Sequence, residues 1–196
     1  MQSLRVLLSV STATRTWEDG VSAVVSPVPA LRAAAGYNVG LLVIRLAAGL
    51  TLAVHGSQKL FGWFGGRGVE GTGAFFEQIG YRPGRSFAVV AGLCEFGGGL
   101  AFALGVLTPL AASAMIGVML NAVAADWHKG FLNGFEYPLL IALVAVGVAL
   151  AGPGQYALDT VTGRVTGLQL GDWRYGIAAI TLAVVVAALT LLAKAG

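Results

Sequence analysis

An all-α bundle that crosses a membrane several times is the fold this sequence predicts, and three observations carry it. Of its 196 residues, 57% are hydrophobic and only 11% are charged, against about a quarter charged in a soluble domain. Mean hydropathy is +0.80. The apolar residues gather into five runs, about 39–61, 86–107, 109–127, 136–152 and 174–193, each within reach of the ~17–25 residues a bilayer crossing needs. None of them alternates like a barrel strand. Backbone groups in lipid must pair within their own segment, so the runs are helices. The chain length fits one compact bundle.

Residues 1–36 mix Ser, Thr, Ala and Pro with scattered charges and read as a tail, disordered or lying on a surface. The first run is followed by a Gly-rich connection, 62–85, that is long for a bundle. Its aromatic residues Trp63, Phe64, Phe75 and Phe76 suit a piece lying against the membrane surface. The second and third runs meet at Thr108–Pro109 and must form an antiparallel hairpin, with Pro109 in the first turn of the third helix, where no N–H is needed. Gly97, Gly98 and Gly99 fall inside the second helix, where they allow a neighbouring backbone to come close.

A net charge of +3 with no basic run and no nucleic-acid motif fits lipid headgroups and topology, and excludes a nucleic-acid partner. Cys94 is the only cysteine, so the chain has no internal disulfide and no paired thiols. Redox chemistry would need a bound cofactor, a quinone or a partner's thiols. Cys94 itself reads as a packing residue.

Polar residues inside the apolar runs are the functional signal. A charge at the bilayer centre costs about 2.5–3.5 kcal/mol on insertion scales, yet the first run carries Arg45, His55 and Lys59. At 100° per residue the three lie within roughly 80° of one another, a single stripe that must face protein or water. Alternating helix direction puts His55, Lys59, Asp126, His128 and Glu136 toward one end of the bundle, here side B, together with Trp63 and Trp127. Glu95 falls near mid-membrane and Arg45 nearer the opposite end, side A. Arg45, His55, Lys59, Glu95, His128 and Glu136 are therefore the pocket candidates, with the basic and acidic members able to cancel.

Three readings of this cluster compete. It is a set of structural ion pairs, or a pocket for a ligand such as a quinone whose carbonyl oxygens meet His55 and Lys59, or a metal site. In the pocket reading His55 also carries protons, because imidazole changes charge near neutral pH. His55, His128, Asp126 and Glu136 are ligand types for a metal, but their spacing matches no compact motif, and no metal site is assigned. No nucleophile triad or cofactor fingerprint is visible, so no catalytic residue is assigned.

The same residues resemble the DoxX family of small membrane proteins over about 37–159. The likeness consists of Arg45, His55–Gly56 with Lys59, Glu95 with Gly97 and Gly98, Gly105 through Pro109, His128 with Gly130 and Phe131, Glu136, and Gly152 through Asp159. The resemblance implies a four-helix core in a bacterial inner membrane; this chain departs from it by its long N-terminal tail and by 160–196, a linker and a fifth, C-terminal transmembrane helix. It also implies association with redox assemblies, whether terminal oxidases, thiosulfate:quinone oxidoreductases, or complexes containing superoxide dismutase and a sulfurtransferase. The expected function is a redox-associated membrane subunit, quinone-linked or protective against thiol and oxidative stress. The alternatives are a non-catalytic anchor or assembly factor and a proton-coupled small-molecule transporter, although no internal repeat supports the last.

Overall fold

A computed structural model describes residues 28–195, which form helices joined by turns, with no strand among them. The α-helices are α1 (Val28–Phe61), α2 (Gly68–Gln78), α3 (Gly84–Leu104), α4 (Thr108–Asp126), α5 (Glu136–Ala151), α6 (Leu158–Thr166) and α7 (Trp173–Ala195). Five segments are long and apolar enough to cross a membrane: Ala33–Phe61, Gly84–Leu104, Thr108–Lys129, Phe131–Ala151 and Trp173–Lys194. The protein is thus a multi-pass helical membrane protein. The first helix begins at Val28, within the stretch read as a tail, and that reading for 1–27 lies outside the described residues.

Within the compact unit that starts at Asn38, α4 is the central helix and packs against α3, α5 and α7. The fifth span is therefore part of the bundle wall. The core is built from Leu52, Phe102, Met115, Ala145 and Val148, all almost fully buried. Outward faces carry exposed Val43, Leu93, Leu143 and Leu189, the apolar exterior that a bilayer solvates. The Gly-rich connection after α1 forms α2, which packs on the start of α3. Glu77 accepts a hydrogen bond from the Gly84 N–H at 3.2 Å, tying the two together.

Packing of α1 on α3 depends on missing side chains. A Cβ on Gly49 would come within 2.5 Å of the Gly99 carbonyl oxygen, and one on Gly56 would overlap the Phe96 backbone. Part of the glycine triplet serves this contact: Gly99 meets α1, while Gly98 faces Ala114 of α4. Lipid tails are as apolar as leucine, so helices associate in a bilayer through such close van der Waals packing and through polar contacts. Gly56→Ala should cost about 1–3 kcal/mol by forcing α1 off α3. Gly40→Ala, where a Cβ would meet nothing within 4 Å, should leave stability nearly unchanged. Thermal unfolding of the two variants in the same detergent checks the contrast.

Candidate functional site

A cleft of about 500 Å³ runs between α3, α4 and α7. Its lining is mostly apolar. Phe75, Phe76 and Ile79 from α2 and its C-terminal end cover it toward side B, with Tyr81 and Phe87 beside them, and Lys59 reaches in from α1. Polar atoms enter it at three levels.

The deepest of the charged groups is the pair Lys59–Glu95, with Nζ 2.5 Å from Oε2. The Glu95 side chain is 3% exposed and the Lys59 side chain 24%. Close packing at Gly56 brings the α1 and α3 backbones together here, so Lys59 can reach a carboxylate well below its own helix end. Such a pair repays its desolvation only when the geometry is good, and leaving one member alone is costly. Cys94, half-buried beside Glu95, also lines the cleft, a role its reading as a packing residue did not anticipate.

His55 stands outside the cleft lining. Its ring lies 5.5 Å from that of Tyr137 at the start of α5, and Gln58 hydrogen-bonds it. Lys59 lies within electrostatic range of His55, and Glu95 within range of Tyr137. His55 and Tyr137 thus flank the ion pair on the side away from the cleft.

Above the pair, Asn121 of α4 joins three elements. Its Oδ1 accepts from the Tyr81 hydroxyl at 3.1 Å and from Thr190 of α7 at 2.9 Å, while its amide donates to the Gly117 carbonyl at 3.0 Å. Burial raises the Tyr81 phenol pKa, which keeps its proton available for the bond to Asn121. The Lys194 ammonium sits 4.9 Å from the Tyr81 ring centroid, a cation–π contact. At the mouth, Lys129 pairs with Asp126 at 2.5 Å. Sequence reasoning passed over Tyr81, Asn121 and Thr190. The available signal was a lone amide inside an apolar run, which lipid does not tolerate unpartnered.

Arg45 is held at the other end of the bundle. It is 1% exposed, and its guanidinium donates to the carbonyls of Ala103 (3.3 Å), Tyr156 (2.9 Å) and Pro153. Asp159 lies within electrostatic range of it. The Asp159 carboxylate in turn accepts from the N–H groups of Leu107 and Thr108, 2.7 Å each, and so caps α4 from α6. Gly105 completes this latch: its φ is +68°, and a Cβ there would lie 3.1 Å from the Arg45 Cζ. Arg45 and Glu95 have different partners. Arg45, His55 and Lys59 meet three different sets of neighbours. In depth Arg45 sits roughly 15–20 Å from the other two.

His128 is exposed in the turn after α4, and Glu136 accepts from the Asn133 N–H at 3.2 Å in the turn that opens α5. Neither lines the cleft. Trp63 packs at a tilt against Phe61 (4.8 Å) and Trp127 stacks on Phe135 (4.7 Å), both exposed outside it. Of the four residues considered for a metal, only Asp126 reaches the cleft. No three His, Cys, Asp or Glu side chains converge among the described residues.

The sequence profile of the DoxX family matches residues 40–128, which include Arg45, the Lys59–Glu95 pair and all of α4. Two relatives extend the likeness. "Putative oxidoreductase CatD" of Bacillus subtilis (strain 168) is 30% identical over 124 residues, 63% of this chain and 87% of that protein. "Inner membrane protein YqjF" of Escherichia coli (strain K12) is 30% identical over 132 residues, 65% of this chain and 95% of that protein. No solved structure matches the chain. With alignments at 30% identity that cover 87% and 95% of the two relatives, this multi-pass membrane protein belongs to the DoxX family, whose profile matches across its first three spans.

Proposed function

We propose that the protein binds a quinone-like molecule in the cleft and serves as the membrane subunit of a redox assembly in a bacterial inner membrane. The observation that carries this reading is the composition of the cleft: an apolar space of about 500 Å³ with a buried ammonium–carboxylate pair reaching into it. Ligand sites for small molecules have this form, a largely apolar wall with a few fixed polar groups that orient the head group. A quinone carbonyl takes a donor such as the Lys59 ammonium, and its ring suits the aromatic cover formed by Phe75, Phe76 and Phe87. The names of the relatives, an oxidoreductase and an inner-membrane protein, fit the same direction.

The share of this chain is to bind and orient. Electrons come from a partner of the kind the family resemblance implies, an oxidase, a superoxide dismutase or a sulfurtransferase. Organic extraction of the purified protein followed by mass spectrometry tests the reading. About one quinone per polypeptide is expected. Recovery of phospholipid alone would replace the pocket with a non-catalytic membrane anchor.

A further inference from the structure

The cleft follows α4 from one end to the other. Leu110, Ala114, Gly117, Asn121 and Ala125 all line it, spaced three or four residues apart on one helical face, and Lys129 in the turn beyond α4 continues the row. From Leu110 to Ala125 that face is about 22 Å long at 1.5 Å per residue, so an occupant of the whole cleft lies extended along the helix.

Polarity is unequal along the groove. The side-B half holds the Lys59–Glu95 pair, the Tyr81–Asn121–Thr190 hydrogen bonds and the Asp126–Lys129 pair. Toward side A the lining is Leu110, Ala114, Leu182 and Ala183, with Ser113 the one hydroxyl. Val90, Leu110, Leu182 and Val186 line the groove and are also 46–58% exposed, so its rim between α3 and α7 is open to lipid.

We propose that the groove takes an amphiphile with one long hydrocarbon tail, its head group in the side-B half and its tail laid along α4 toward Leu110, and that the molecule enters sideways from the bilayer. This rests on the cleft reading above and adds to it the tail, its direction and its route.

Cys94 is the chain's only cysteine and lines the cleft, so its alkylation by a maleimide reports occupancy. The full-length protein in detergent is labelled with 2,3-dimethoxy-5,6-dimethyl-1,4-benzoquinone present, or with the same ring carrying a ten-carbon alkyl chain in place of one methyl, compared at equal mole fraction in the micelle. Neither ring has an open carbon for the thiol to add to. The tailed compound should protect Cys94 at about tenfold lower concentration. Leu182→Trp fills the side-A section from a half-exposed position and should abolish that advantage while leaving protection by the tail-less ring unchanged. Leu110→Trp provides the same test should the first variant fail to fold. Equal potency of the two compounds in the wild type would overturn the tail assignment and leave the head-group site standing. No protection by either would remove the site itself. Protection by a single-span peptide, with neither quinone effective, would make the groove a helix-docking surface instead.

Discussion

Arg45→Leu should cost about 3–5 kcal/mol and lower the unfolding midpoint in detergent by on the order of 10 °C, without changing the ligand content of the protein that remains folded. The guanidinium holds three backbone carbonyls from two separate segments and faces Asp159, whose carboxylate caps the start of α4. Removal leaves buried acceptors unmatched and Asp159 without its nearby cation, and each loss is charged at the full desolvation penalty. Arg45→Lys should recover only part of the stability. One ammonium on a flexible stem cannot serve three acceptors laid out for a planar fork. Asp159→Asn keeps one acceptor oxygen and should cost less, about 1–2 kcal/mol. Because the two residues share one network, the double variant should lose less than the sum of the singles. Loss of ligand at unchanged midpoint would overturn the structural assignment and return Arg45 to the pocket.

The Lys59–Glu95 pair should behave asymmetrically. Lys59→Met strands an almost fully buried carboxylate and should cost about 3–5 kcal/mol, seen as low yield and a lowered midpoint. Glu95→Gln should cost less, because Lys59 is partly exposed and its long stem can swing its charge toward the interface. The double variant removes both charges and should regain most of the lost stability, since a neutral replacement for a buried pair is often tolerated. It should not regain the quinone. Protein abundance, unfolding midpoint and quinone content measured on all three variants separate the two roles. Full function in the double variant would show that the pair is scaffold only.

The helical class, the five crossings and the hairpin at Pro109 were legible because each rests on local pattern. Apolar run length, glycine position and proline position act within one segment, and the structure reproduces them. The cluster of polar residues was legible only in part. His55 and Lys59 are one turn apart on one helix, yet Lys59 pairs with Glu95 while His55 packs against Tyr137. Arg45 shares their face but not their depth, and its partners come from the α3 end and from the loop at 153–156, which no periodicity connects to residue 45. His128 and Glu136 lie at the same end of the bundle as Lys59, yet turn geometry carries both away from the cleft. Asn121, Tyr81 and Thr190 went unnoticed because each is a single polar residue whose partner lies on another element.

From its residues alone the chain commits to living in a bilayer as a helix bundle with several charges that lipid cannot solvate. Burial cost demands partners for those charges and says nothing about which. The tertiary structure made that choice. Glycine contacts between α1 and α3 put Lys59 on Glu95, the latch at side A took Arg45, and the small-residue face of α4 against α7 left a groove. Such pairings depend on depth and rotation across separate helices, quantities that no single helix carries in its own sequence.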